Sequence, residues 1–346
     1  MKKLLLFTLL IYIPFFTTVA QVGFQSHTII DQGSTNAPTD AFAADVDGDG
    51  NLDLVSTSQY DNKVAWYKND GAGNLGSQQI ISINELDLIS GEGVDFNADG
   101  NVDILCASGT KIVWFPNNGG GSFGTPRQIA SNNNGHVKVL AKDIDADGDA
   151  DLVVMSNIDS KLSWYENVDG LGNFGADPTI ITQKGWLELA GEDVDGDGDI
   201  DLIVGHSFSN EDESIEWFEN LNGQGQFGPS TYITDDVYWA TDLFITDLNG
   251  DGTMDLLSSS LPNNMIDWFP NSDGLGNFGE VRHINYTIYL PETVISADLD
   301  GDSDNDILVF SHGDKSLVWL KNMDGFGNFE EYKRIIENNI DTASYN

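Results

Sequence analysis

Apolar residues along this chain fall in short runs separated by clusters of Gly, Asn, Asp and Ser, and no stretch sustains a helical period. The runs come in fours. In the third such group, 137–141 leads into an acidic loop, 152–155 leaves it, 161–166 follows, and 178–181 closes the group. Units of about fifty residues repeat this order, each reading as four short β-strands joined by glycine-rich turns. Four-stranded units in series predict an all-β fold, a β-propeller of six four-stranded repeats with one blade per unit. Packing blade on blade buries the faces of each small sheet and leaves only short strand edges.

The acidic loop fixes the period. Its first copy is Asp45-Val-Asp-Gly-Asp-Gly-Asn-Leu-Asp53, and later copies begin at Asp95, Asp143, Asp193, Asp247 and Asp298, in steps of 50, 48, 50, 54 and 51 residues. Positions 1, 3, 5, 7 and 9 are Asp45, Asp47, Asp49, Asn51 and Asp53 in the first copy. They are Asp95, Asn97, Asp99, Asn101 and Asp103 in the second, and Asp143, Asp145, Asp147, Asp149 and Asp151 in the third. The fourth has Asp193, Asp195, Asp197, Asp199 and Asp201; the fifth Asp247, Asn249, Asp251, Thr253 and Asp255; the sixth Asp298, Asp300, Asp302, Asp304 and Asp306. Position 6 is glycine in five copies and Ser303 in the last, where some strain in the turn is expected.

Carboxylates this close repel: two unit charges 4 Å apart cost ~4 kcal/mol at an effective dielectric of ~20. A hard divalent cation relieves the repulsion. Ca2+ takes oxygen ligands including a backbone carbonyl, and the glycine permits the sharp turn. Up to six Ca2+ are therefore expected, held by side chains at positions 1, 3, 5 and 9 and by the backbone carbonyl at position 7, whose side chain is left free. An EF-hand is excluded. Position 12 is Ser56, Cys106, Val154, Val204, Ser258 or Val309 instead of glutamate, and β-type residues follow where a helix would.

Each unit also places a tryptophan on its third strand, at Trp66, Trp114, Trp164, Trp217, Trp268 and Trp319. Identical placement in all six units assigns these rings to packing between blades. Three residues on stands an asparagine (Asn69, Asn117, Asn167, Asn220, Asn271, Asn322), then a turn that matches G-x-G-x-x-G in five units, as in Gly71 to Gly76. With no helix after it, this is a hairpin needing positive φ and is not a dinucleotide site. Phenylalanines 123, 174, 227, 278 and 329 pack behind these turns.

With loop, tryptophan strand and Asn-x-Gly-x-Gly-x-Phe-Gly turn together, the chain resembles FG-GAP/VCBS repeat proteins over about residues 24–336. These include the integrin α-subunit head and many secreted bacterial proteins. The resemblance implies a calcium-binding β-propeller in extracellular adhesion or ligand binding, sometimes as a module beside an enzyme. It carries over only to the loop oxygens named above. Asn97 and Asn249 each remove one charge and should weaken their sites.

The ends extend the pattern. Residues 24–30 read as a fourth strand without its first three, and 337–346 as the approach to another loop. Ile284 precedes Asp298 by 14 residues, and the same spacing from Ile336 places a seventh loop near position 350. The expectation is a seven-bladed parent ring closed by 24–30; a six-bladed ring with a spare N-terminal strand is the alternative.

Composition narrows the partners. The 346 residues carry 56 Asp and Glu against 15 Lys and Arg, a net charge of −41, and 22 of the aspartates stand at loop positions 1, 3, 5 and 9. Six bound Ca2+ would still leave about −29, which opposes nucleic acid and anionic membranes. Residues 1–20, with Lys2-Lys3, an apolar stretch and Thr18-Val-Ala20, read as a signal peptide cut before Gln21. Residues 21–346 are then one secreted or cell-surface propeller, with no membrane insertion beyond the signal peptide. The single Cys106 offers no disulfide and reads as a buried small apolar residue.

The loops opposite the acidic ones vary between units and carry aromatics, among them Tyr60, Trp186, Tyr238, Trp239, Tyr286 and Tyr289, along with His136 and His206. They are the candidate surface for an extracellular glycan or protein, with Trp186, Tyr238, Trp239 and Tyr289 as ligand-binding candidates; the other reading is that they simply cover the channel mouth. No catalytic motif is found, and no enzyme activity is expected. The alternatives are a scaffold or accessory domain of a polysaccharide-degrading enzyme, or a structural spacer in a larger surface protein.

Overall fold

The computed structural model describes residues 37–85, 87–131, 137–156, 160–175, 178–183, 186–206, 215–234, 239–285, 287–329 and 333–337. Their regular structure is all β. Each repeat folds into a four-stranded antiparallel sheet in simple sequence order, giving blades at 38–82, 88–131, 137–183, 186–234, 240–285 and 291–337. In blade one the strands are Pro38–Ala44, Asp53–Ser58, Lys63–Tyr67 and Gln79–Ser82. The six-repeat propeller expected from the sequence is therefore what forms. The strand expected at 24–30 lies outside the described residues. Among those described, no helix is long and apolar enough to cross a membrane.

The two middle strands of each blade are buried almost throughout, because each carries apolar residues on both faces. Asp103–Ser108 and Asp255–Ser260, for example, are buried at every position. Five apolar clusters join consecutive blades. In each, the tryptophan of one blade meets the glycine at the third position of the next blade's G-x-G hairpin. A Cβ built on Gly172 would lie 2.2 Å from the Trp114 ring, and one on Gly225 would lie 2.3 Å from Trp164. Trp114 is completely buried, edge-on to Phe96 with ring centroids 5.8 Å apart, and Arg127 stacks over it at 4.7 Å. The tryptophans are thus core residues, as their identical placement predicts.

The sixth joint is missing among the described residues. Nothing lies within 4 Å of a Cβ built on Gly73, the position in blade one that corresponds to Gly172. On blade six, Ile295 and Phe310 are 40% and 43% exposed, whereas Ala107 and Met155, at the positions matching Phe310, are buried. Among the described residues the blades are thus linked by five such joints in series, with a seam between blades six and one.

First strands of neighbouring blades meet around the centre. There Lys138 Nζ sits 2.8 Å from Glu188 and 4.0 Å from Asp242. Glu92 accepts the Ala141 N–H at 2.9 Å. Burial pushes the Glu92 carboxyl up to about 7, against the pull of the Ala141 amide and Lys142. The folded protein therefore keeps this proton where the unfolded chain, at an ordinary 4.5, has lost it. Its contribution is fully present below pH 4.5 and disappears as pH rises through about 7. Glu92→Gln should thus flatten the fall in stability between those values, gaining on the order of 2–3 kcal/mol relative to wild type by pH 8. Urea unfolding of both proteins at pH 4.5 and pH 8 checks this; parallel pH curves would refute it.

Candidate metal centre

The acidic loop joins the first and second strands of every blade, at the same end as the glycine hairpin. Its first aspartate folds it. Asp45 Oδ1 accepts the amides of Gly48 (2.9 Å) and Asp49 (3.1 Å), and Oδ2 accepts that of Gly50 (2.9 Å). Asp247 and Asp298 repeat the arrangement. Position 6 is left-handed throughout, and Ser303 adopts it at φ 76°, a conformation that costs a side-chain-bearing residue ~1–2 kcal/mol.

The ninth aspartate braces the loop to its blade. Asp53 accepts Val46 N–H on one oxygen (3.1 Å) and Asn69 N–H on the other (2.7 Å). Asp103, Asp151, Asp255 and Asp306 do the same with their own loop and asparagine. Burial holds Asp103 and Asp255 up at about 6 and Asp151 and Asp201 at about 7, with the asparagine amide partly offsetting it. The buried indole N–H groups of Trp114, Trp164, Trp217 and Trp268 lie beside these carboxylates and favour the charged form without closing a well-aligned hydrogen bond.

The asparagine carries a role that its recurrence alone did not disclose. Asn167 Nδ2 donates to Phe96 O of the preceding blade at 2.9 Å and to Ala150 O of its own loop at 3.2 Å, while its Oδ1 accepts Gly172 N–H at 3.0 Å. Asn117, Asn220, Asn271 and Asn322 likewise bond to Val46, Ile144, Val194 and Leu248 of the preceding blade. One side chain ties blade, loop, hairpin and neighbour together.

In four loops the carboxylates converge. One oxygen from each of Asp143, Asp145 and Asp147 lies within 4.8 Å of the others, as do those of Asp193, Asp195 and Asp197, of Asp298, Asp300 and Asp302, and of Asp45, Asp47 and Asp53. That spread is about twice a Ca–O bond of ~2.4 Å, so each set can surround one ion. Asp47, Asp143, Asp145, Asp149 and Asp300 each keep a buried oxygen that no donor reaches. An unmet buried carboxylate oxygen is costly, and a cation is what relieves it. Partial burial and the neighbouring Asp147 push Asp149 up to about 6, and Asp145 and Asp195 are raised in the same way. The donors are all oxygen, the set that hard divalent cations take. Loops two and five offer amide oxygens at Asn97 and Asn249, which accept Asp99 N–H and Asp251 N–H at 3.0 and 2.9 Å.

One expectation is corrected. In loops one, two and five the seventh side chain is not free: Asn51 and Asn101 donate to Asp49 and Asp99 at 2.8 and 2.7 Å, and Thr253 donates to Asp251. It is wedged between loop and hairpin, so that a Cβ on Gly71 would fall 2.6 Å from Asn51.

A model of the FG-GAP-like repeat matches residues 24–91, 95–154, 143–204 and 193–258, well over half of the chain. The chain belongs to the FG-GAP-like repeat family. No curated protein matches it at the sequence level. Among solved structures, it is similar to a lectin of Agrocybe aegerita that recognises non-reducing terminal N-acetylglucosamine. The identity is 22% and the TM-score 0.67, over 88% of this chain and 81% of the lectin. It is also similar to BBS1N solved in complex with ARL6DN, at 13% identity and TM-score 0.56, over 83% of this chain and 80% of that one. At these identities the likeness is one of fold.

In this FG-GAP-like propeller, the loops opposite the acidic ones hold part of the expected ligand face. Tyr60 is 72% exposed and Tyr289 54%. Tyr289 is held in place: its ring lies on Gly313, its N–H donates to Asp314 at 3.1 Å, and its carbonyl accepts Ser311 Oγ at 2.6 Å. Trp239 is half-buried at φ 61°. Trp186 opens the first strand of blade four, paired with His206. Tyr238, Tyr286 and His136 lie outside the described residues. Cys106 is buried and free, as expected, and burial pushes its thiol up.

Proposed function

We propose that this chain is a secreted, calcium-stiffened propeller that binds an extracellular ligand, a glycan in the first instance, through the loops opposite the acidic ones. The carboxylate oxygens left without donors in the acidic loops support the calcium reading. The ligand reading rests on Tyr289, a half-exposed ring that lies on Gly313 and whose main-chain N–H and carbonyl are both hydrogen-bonded, so that it offers a flat apolar surface at a reduced entropy cost of ordering. Tyr60 adds a second exposed ring at an equivalent end of blade one. A lectin shares the fold, so a propeller of this kind is compatible with sugar recognition.

Calcium occupies the far end and stiffens the scaffold without touching the ligand. The signal-peptide pattern at residues 1–20 supports export to a calcium-rich compartment. Wild type, Tyr60→Ala, Trp239→Ala and Tyr289→Ala on a glycan array in millimolar calcium test the ligand face. Tyr289→Ala should weaken the glycan bound by wild type about tenfold, near the upper end of the ~0.5–1.5 kcal/mol that an aromatic contact contributes beyond its buried area. Binding unchanged in all three variants would reject this face.

A further inference from the structure

One position separates the six loops into three kinds. It is the residue immediately before the inter-blade asparagine, and it reads Lys68, Pro116, Glu166, Glu219, Pro270 and Lys321 from blade one to blade six. Lys68 Nζ makes ion pairs with Asp47 and Asp49, the latter at 2.8 Å. Lys321 Nζ makes the same pairs with Asp300 and Asp302, the latter at 2.9 Å. These are loop positions 3 and 5, so in the two end blades an ammonium group sits on two of the carboxylates a cation would need. In the middle blades the position is reversed in sign: Glu166 and Glu219 stand near Asp145 and Asp195 and add to the negative field. In blades two and five it is a neutral proline, beside loops that have already lost a charge at Asn97 and Asn249.

We propose that Lys68 and Lys321 are tethered counter-cations that hold the loops of blades one and six together without metal, so that calcium fills blades three and four first. The inference rests on the reading of the loops as calcium sites. An ammonium group on the position 3 and 5 carboxylates neutralises part of the repulsion that makes an empty loop costly. It also repels an incoming dication, which must displace it or bind beside it. Among the described residues, blades one and six each join one neighbouring blade through the tryptophan–glycine contact, so a built-in cation keeps the ends of the array ordered when free calcium is low. The glutamates of blades three and four act in the opposite sense, raising the need for a cation at the centre of the array.

The test counts calcium on the full chain. Wild type, Lys68→Met/Lys321→Met and Lys68→Arg/Lys321→Arg are equilibrated against CaCl2 at graded free concentrations, and bound calcium is measured by elemental analysis. The methionine variant should take up two more ions than wild type at intermediate calcium, its two end sites tightening about tenfold or more, while the arginine variant stays at the wild-type count. Its melting temperature should fall below wild type in chelator and recover in calcium. Equal, non-zero counts in wild type and the methionine variant would overturn the lysine inference and leave the loops as calcium sites. No bound calcium on any of the three would overturn both readings. A methionine variant that stays unfolded even in saturating calcium would also overturn the inference, because lysine would then be required for more than charge.

Discussion

Replacing Gly172 with alanine will cost about 3–5 kcal/mol of folding stability, whereas the same change at Gly73 will cost only about 1–2. Both glycines are left-handed, at φ 75° and 81°, so the backbone penalty for a Cβ is shared. They differ in what the Cβ meets. At Gly172 it falls 2.2 Å from the ring of Trp114, which Phe96 and Arg127 hold in place, while at Gly73 it meets open space. The difference between the two variants, about 2 kcal/mol by urea unfolding in calcium, isolates the blade-to-blade joint from backbone strain. Equal losses would mean that the tryptophan–glycine contact contributes little, or that blade one is joined to blade six as firmly as the others are joined to one another.

Stripping calcium will have the larger effect. A cation at a hundred times its dissociation constant adds ~2.7 kcal/mol per site, so two or three well-filled loops contribute about 5–8 kcal/mol. For a chain of this size each kcal/mol moves the melting point by roughly 2–4 °C, giving a drop on the order of 10–30 °C when millimolar CaCl2 is replaced by chelator. The reason lies in the loop itself. Without a cation, Asp143 and Asp145 each keep a buried oxygen that no hydrogen-bond donor reaches, and Asp149 is pushed up to about 6 by burial and Asp147. Superimposable melting curves in calcium and chelator would show that the hydrogen bonds of the first and ninth aspartates suffice to order the loop.

Much of this was legible in the sequence because the repeat makes each unit a control for the others. Six acidic loops at a near-constant period, a tryptophan in every third strand and a glycine turn after it yield the blade, its core residue and its hairpin. What could not be read were contacts between units. Asn167 bonds to Phe96 O, 71 residues away, and Asn271 to Val194 O, 77 away; periodicity marks the asparagine as invariant without saying which carbonyl it reaches.

The bracing role of the ninth aspartate was hidden for a similar reason. A carboxylate in an acidic loop reads as a ligand, and only the fold shows that Asp151 also accepts two amides. The lysine clasp escaped because Lys68 lies 19 residues beyond Asp49, just past the end of a strand that reads as ordinary β-structure. Nor does the strand pattern show that Phe310, at the position of the buried Ala107 and Met155, is 43% exposed among the described residues. On the ligand face the signal was weak from the outset, being aromatic residues in loops of differing length, and Tyr289 is singled out only by what holds it.

Direct counting of bound metal tests the central claim most closely. Purified chain from residue 21 onward, equilibrated in millimolar CaCl2 and passed through calcium-free buffer on a short column, should retain calcium in whole-number ratio to protein. That ratio should fall in a variant carrying Asp145→Asn and Asp195→Asn. Protein that emerges with no calcium, and the same secondary structure, would contradict the account.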